Sequence, residues 1–400
     1  AEAQTLEERV GGLEENMQAM TDKQKYLPQI HGILRGKYEY EPDLDASRFE
    51  VRNARLSAEG NLPLRSSYKM EASRFEVRNA RLSAEGSLPM RAAYKLEVDL
   101  CDESAMKMKD AWVRMAIPLS GDDKGPSLRI TLGQQRMPFS IDAHRNPSAQ
   151  YFANRSFIAK QVGDMRDVGA AVGYSPLLTS PRGGKLEMHF DAGIYNGSNL
   201  DNQKTAWFTS PAYSARAQFI YTSPRGGKVG AVPSVQHQLI ASREASYTSF
   251  DFGAYYEWNG LHLEAEYLRK FYAKDAFDDC NAIDAMIIYK MPVKKGYLSG
   301  VSYLLRYDYM DNHSDGKKGF AVSAFGNKSE APMEEGEGRS RLLQSDAQRH
   351  RLTAGLTFHV ANKYFPTDIR LNYEKYWYPN NGTPKESEQD KLVAELMIKF

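Results

Sequence analysis

Residues 351–360 read "RLTAGLTFHV". Leu352, Ala354, Leu356, Phe358 and Val360 share one parity, and Arg351, Thr353, Gly355, Thr357 and His359 share the other. Side chains of an extended strand point alternately to opposite faces, so this stretch is a strand with one apolar and one polar face. A guanidinium in mid-strand needs water or a counter-charge, because burying it bare is costly. The fold therefore turns on what covers the apolar face: a second sheet, or the hydrocarbon of a membrane.

Outward from there the pattern repeats. "AAYKLEVDL" (92–100) sets Tyr94, Leu96, Val98 and Leu100 against Lys95, Glu97 and Asp99. "KDAWVRMAIP" (109–118) sets Ala111, Val113, Met115 and Ile117 against Trp112 and Arg114, and "SLRITLG" (127–133) sets Leu128, Ile130 and Leu132 against Arg129 and Thr131. Earlier runs lie in "LPQIHGILRGKYEYE" and "RFEVRNARLSAEG". Later runs fall near 167–176, 185–196, 212–222, 231–243, 246–258, 261–272, 282–291, 297–310, 349–360, 366–378 and 389–400. The total is about sixteen strands. Connections alternate in length: "SPRGGK", "NG", "PVKKG" and "ANKYFP" are short, whereas 101–107, 197–211, 273–281, 311–348 and 379–388 are mostly longer and polar. Short turns on one rim and long loops on the other suit an outer-membrane barrel, and a soluble sandwich has no reason to sort loops by parity.

Three features assign the apolar face to lipid. Trp258, Tyr364, Phe365, Tyr376, Trp377 and Tyr378 crowd strand ends, where a ring stays apolar while its polar edge stays wet. Arg114, Arg129, Arg216, Arg306, Arg351 and Arg370 occupy the opposite face in mid-strand. The final "KLVAELMIKF" alternates to a terminal Phe400, a pattern similar to the insertion signal of bacterial outer-membrane barrels.

Bulk composition agrees. The 400 residues carry 52 Lys and Arg against 51 Asp and Glu, which gives no overall attraction for nucleic acid. Mean hydropathy is −0.58 and no run of 18 apolar residues exists, which excludes a transmembrane helix but not strands with a polar lumen face. The opening "AEAQ" suits a mature N-terminus after cleavage at small residues. The two cysteines, Cys101 and Cys280, are too few for a disulfide scaffold or structural zinc; their pairing would require loops meeting over the mouth. No nucleophile elbow, zinc-protease motif or phosphate loop occurs, so neither an enzyme nor a metal or organic cofactor is expected. "YAKDAFDD" with "DDCNAID" could hold calcium but reads more simply as a solvated loop.

Two segments stand apart. Leu6, Val10, Leu13, Met17 and Met20 follow a heptad spacing within Glu, Gln and Lys, which predicts a short N-terminal α-helical coiled coil over 1–26 ahead of a barrel over 27–400. Its two to three heptads need a partner to bury the stripe. Residues 46–60 and 72–86 are both "ASRFEVRNARLSAEG", a repeat of period 26 that continues through 97. It could add a hairpin, although the ascending strand would be "SSYKMEA", short for crossing hydrocarbon.

The stretch Leu132–Tyr174 carries Gly133-Gln134 and Pro138-Phe139-Ser140, then Arg155-Ser156, then a returning Arg166-Asp167-x-Gly169. On these motifs it resembles the phosphate-selective porin O/P family of bacterial outer membranes. "RFEVRNARLSAEG" and "YKLEVDL" also resemble that family's early strands, and a coiled coil before the barrel recurs there. The resemblance implies a sixteen-stranded antiparallel β-barrel, an inward-folded third loop at about 136–166, a homotrimer and passage of small anions such as phosphate. The N-terminal helix would sit in the periplasm, and the barrel would meet outer-membrane lipids and lipopolysaccharide.

Within that loop Arg136, Arg145, Arg155, Lys160 and Arg166 stand against Asp142 and Asp164, a net charge of +3 to which His144 adds only when protonated. A narrow low-dielectric passage amplifies such a bias, and a guanidinium can donate two parallel hydrogen bonds to phosphate or carboxylate. Arg129, Arg136, Arg145, Arg155 and Lys160 are the candidate constriction residues, joined by Arg52 and Arg55, where a slip of apolar phase from Val51 to Ala54 predicts a bulge. The bland reading is that Arg136 or Arg155 pins the loop to the wall. Against strict phosphate selectivity, the same lumen face carries Glu97, Asp99, Glu257, Glu264, Glu266, Asp308, Glu374 and Glu395. General diffusion, or a structural anchoring barrel with little ion preference, is the alternative.

Overall fold

The computed structural model describes residues 29–41, 46–62, 66–72, 81–88, 92–102, 105–119, 126–145, 149–160, 165–181, 183–197, 211–239, 246–273, 279–312, 333–336, 339–342, 347–361, 367–379 and 388–399. Among these residues nineteen strands form one sheet and two more form a separate hairpin. The first seven are β1 (Gln29–Glu41), β2 (Ala46–Leu62), β3 (Ser66–Ala72), β4 (Arg81–Leu88), β5 (Ala92–Asp102), β6 (Ala105–Pro118) and β7 (Ser127–Arg136). β8 (Arg166–Tyr174), β9 (Leu177–Thr179), β10 (Lys185–Tyr195), β11 (Ala212–Thr222), β12 (Lys228–Leu239), β13 (Ser246–Trp258) and β14 (Leu261–Tyr272) follow. The last are β15 (Cys280–Lys295), β16 (Leu298–Met310), the hairpin β17 (Met333–Gly336) and β18 (Arg339–Leu342), then β19 (Arg349–Val360), β20 (Thr367–Trp377) and β21 (Lys391–Lys399).

Every pairing is antiparallel with the neighbour in sequence, except that β8 passes β9 to reach β10, β16 passes the hairpin to reach β19, and β21 pairs with β1. β9 is a three-residue continuation of β8 paired only with the start of β10. Nineteen strands against the sixteen expected reflect β9 and the repeat: the first copy supplies β2 and β3, the second supplies β4 and the start of β5. β3 is the seven-residue "SSYKMEA". The β1–β2 register runs from Arg35 opposite Asn53 to Gly36 opposite Val51, so Arg52 is the extra residue of a bulge. The side chains of Arg52 and Arg55 lie outside the described ones.

Burial is inverted relative to a water-soluble core. In β14, Glu264 and Glu266 are 5% and 3% exposed, whereas Leu263 is exposed and Tyr267 is 45% exposed. The same alternation buries Arg351 and Thr353 in β19 and exposes Leu352. Val113, Leu132, Val172, Ile194, Phe252, Ile287, Leu305 and Leu371 continue the exposed apolar side of neighbouring strands. Trp258 ends β13 beside Asn259 and Gly260, whose φ of 47° and 84° suit the two-residue turn that matches strand twist. Its ring is exposed at the rim, as is that of Trp377.

The heptad residues Leu6, Val10, Leu13, Met17 and Met20 lie outside the described residues. Cys280 is a buried free thiol, so the Cys101–Cys280 pairing is not formed. The loop 311–348 is described only at its ends and at β17 and β18.

Ile287, exposed in the middle of β15, tests the partition. Ile287→Arg should cost about 2–4 kcal/mol against the bilayer midplane, read by urea titration in lipid vesicles. A change below about 0.5 kcal/mol, the ordinary value for a water-facing site, would contradict a lipid-facing sheet.

Candidate pore constriction

The segment between β7 and β8 lies on the polar side of the sheet. Its departure is fixed at Gly133, whose φ of 120° suits glycine and whose added Cβ would lie 2.2 Å from the Ala111 carbonyl oxygen. Gln134 then donates from Nε2 to the Lys109 carbonyl at 3.0 Å. Pro138, Phe139 and Ser140, all buried, set the first anchor. The Pro138 carbonyl accepts from the Ser214 hydroxyl of β11. Ser140, in a left-handed backbone conformation, donates its N–H to Ser234 Oγ of β12 at 3.1 Å and accepts Arg216 Nε of β11 at 2.9 Å. Ile141 N–H donates to Glu266 of β14 at 2.6 Å.

Asp142 ties the two halves of the loop together. It accepts the Ser156 N–H at 3.2 Å, the Ser156 hydroxyl at 2.9 Å and Arg145 at 2.7 Å. Arg145 also binds Glu264 of β14 at 2.5 Å and stacks 4.9 Å over Tyr151. Burial opposes ionisation of the Asp142 carboxyl, but Arg145, Arg306 and the Ser156 hydrogen bonds outweigh it and hold the group below its ordinary value. Arg145, with burial working against it, is pushed above its ordinary value by Glu264 and Asp142. Both stay charged.

The second half docks further round the wall. Phe152 packs on Met286, Ile288 and Leu304 beneath the Arg306 guanidinium, 4.5 Å from its ring. Ala153 N–H donates to Asn372 of β20 at 3.1 Å, and Asn154 donates to Glu374 at 2.7 Å. The Arg155 carbonyl accepts Arg306 at 3.3 Å and Arg351 at 2.7 Å. Phe157 sits between the Arg349 and Arg351 guanidiniums at 4.7 and 4.6 Å, and its N–H donates to Asp308. Lys160 closes the arc on Glu388 at 2.8 Å.

These contacts separate the expected constriction residues. Arg145 is a pin: its side chain is 12% exposed and bound to two carboxylates. Arg136 donates to the Ala143 carbonyl at 2.7 Å, inside the loop itself. Arg166, buried, pairs with Asp110 at 3.0 Å. Lys160 keeps 47% of its side chain exposed beside Glu388. Arg129 is 30% exposed, bonded to Ser175 at 2.8 Å and Asp191 at 3.2 Å across Gly173, where a Cβ would strike both charged partners. Arg155 is half-buried, and Asp164 lies outside the described residues.

Sequence reasoning counted the lumen-face acids as repelling anions and missed their role in holding the loop. Glu264, Glu266, Asp308 and Glu374 all meet loop groups, while Glu97 pairs with Lys95 and Glu395 with Arg370. A signal was available: Glu264/Glu266, Arg306/Asp308 and Asn372/Glu374 are polar pairs two residues apart, at mid-strand, on the face away from lipid.

Asp142→Ala should cost about 3–5 kcal/mol, the usual effect of removing one member of a buried pair, read by denaturant titration. A carboxyl held below its free value stabilises the fold above that free value and loses the effect as pH falls through the lowered one. Channel current should therefore stay quiet at pH 5 and become noisy only below about pH 4, the free carboxyl range.

Residues 69–226 match the family model described as phosphate-selective porin O and P. No curated protein matches the chain. Among solved structures, Pseudomonas putida OprB aligns over 95% of this chain and 96% of its own, at 13% identity and a TM-score of 0.53. The anion-selective porin from Comamonas acidovorans covers 93% and 98% at 12% identity and a TM-score of 0.52. Salmonella typhi OmpF, in complex with daunomycin, covers 94% and 99% at 12% identity and a TM-score of 0.50. At these identities the likeness is one of fold, that of outer-membrane porins. Over residues 69–226, therefore, the chain resembles the phosphate-selective porin O and P family.

Proposed function

We propose that the strand ladder closes into a transmembrane barrel in a bacterial outer membrane and passes small solutes by diffusion, with a bias toward small anions such as phosphate. One observation carries the bias: the lumen-face acids are largely engaged with the loop and with arginines, while Lys160 and Arg129 keep part of their cationic surface in solvent. A spread of weak cationic contacts suits conduction, because a permeant anion must leave as readily as it arrives. Glu257 at 38% exposure and Asp191 at 34% keep the bias modest, which is what favours the alternative of general diffusion with little ion preference. Arg52, Arg55, Arg136 and Arg155 remain constriction candidates. Lipid and lipopolysaccharide would cover the apolar face. A homotrimer would form with the heptad stripe Leu6, Val10, Leu13, Met17 and Met20 packed as a coiled coil in the periplasm. Nothing in the fold requires catalysis, a cofactor or a resident metal for this role.

Planar-bilayer recordings across a KCl gradient should give a reversal potential of anion-selective sign; the cation sign would reject the bias. Lys160→Glu combined with Arg129→Ala should reduce the anion-to-cation permeability ratio about twofold or more. Arg145→Ala should act differently, as loop noise. Deleting residues 6–20 should weaken an SDS-resistant trimer, and an undiminished trimer would make the stripe dispensable.

A further inference from the structure

The tandem repeat makes two hairpins with one register. In the first, Gly60 faces Tyr68, Glu59 faces Lys69, Ala58 faces Met70 and Ser57 faces Glu71. In the second, Gly86 faces Tyr94, Glu85 faces Lys95, Ala84 faces Leu96 and Ser83 faces Glu97. Each pair is the first displaced by 26 residues. The two copies, 46–71 and 72–97, are identical at 21 of 26 positions. Every residue of β2 that pairs with β1 falls within 46–59, and these recur unchanged at 72–85. The seam joining the copies, β3 to β4, is short: Lys69–Glu85, Met70–Ala84 and Glu71–Ser83.

Removal of either copy therefore leaves every other pairing available. With 46–71 excised, β1 is offered the same sequence at 72–85, and the β4–β5 register is untouched. Apart from the loop's two ends, where Arg166 meets Asp110 of β6 and Met137 packs with Tyr195 of β10, the contacts that hold it come from β11, β12, β14, β15, β16, β19 and β20, on the other side of the ring of pairings. The extra strands lengthen the wall without lengthening the arc the loop is fastened to.

We infer that the 26-residue repeat is an in-register cassette whose copy number sets the width of the passage between the anchored loop and the β1–β6 wall, and so the size limit for permeating solutes. This rests on the reading of the ladder as a channel. Diameter grows roughly linearly with strand number, so going from eighteen strands paired on both sides to sixteen removes about a fifth of the cross-section. The loop occupies a fixed share, so the open passage shrinks by more.

The test compares the full chain, the chain lacking 46–71, the chain lacking 72–97, and a chain with a third copy. Folding is read by the heat-modifiable band in SDS gels, and pore width by single-channel conductance and liposome swelling with sugars of graded size. Both excised chains should fold, with conductance lower by at least about a fifth and a smaller size limit, whereas the third copy should raise both. Excised chains that fail to fold would overturn the interchangeability of the copies. Folded excised chains with unchanged conductance and size limit would overturn the control of width. If the full chain forms no channel at all, the porin reading fails, and the folding of the excised chains still decides the cassette.

Discussion

A charged side chain cannot be left bare in a low-dielectric setting, and this one constraint organises the molecule. Among the described side chains, most arginines and carboxylates of the strands lie on one face and most leucines and aromatics on the other, and the apolar side is the exposed one. A sheet built this way cannot form a hydrophobic core with a second sheet. Its charged face must hold water, or must hold partners that satisfy it. The segment after β7 supplies those partners, which is why a stretch so rich in polar side chains and backbone can be buried at all.

The loop is held by a matched exchange. Wall acids receive its backbone N–H groups at Ile141 and Phe157, and wall arginines donate to its carbonyls at Ser140 and Arg155. Aromatic rings fill the space between, with Phe152 under Arg306 and Phe157 between Arg349 and Arg351. Backbone groups carry no charge, so engaging acids and bases in similar measure leaves the selectivity to the few side chains outside the exchange. The loop's composition overstates its field, because Arg145 is neutralised by Asp142 and Glu264.

The strands were legible in the sequence because period-two alternation is a local property. The runs near 212–222, 246–258, 261–272 and 349–360 coincide with β11, β13, β14 and β19. The bulge at Arg52 was legible too, since an extra residue flips the apolar phase. The repeat's seven-residue β3 was found at its expected place, but whether it pairs depends on strands distant in space. The site was less legible. Spacing cannot tell a half-exposed Lys160 from a pinned Arg145, because that depends on carboxylates more than a hundred residues away. The pinning expected of Arg136 or Arg155 is seen instead at Arg145, bound to Asp142 and Glu264.

The sequence distance of those anchors has a temporal consequence. Ala153 and Asn154 dock on Asn372 and Glu374, and Lys160 on Glu388, separations of 219, 220 and 228 residues. Contacts of such range form only after the intervening chain has closed its loops. Docking of the loop is thus among the last steps of assembly, alongside the β1–β21 seam, which joins residues still further apart. Until the C-terminal strands arrive, the nascent sheet carries an undocked, charged segment, and Phe157 can enter between its two arginines only once β19 is in place.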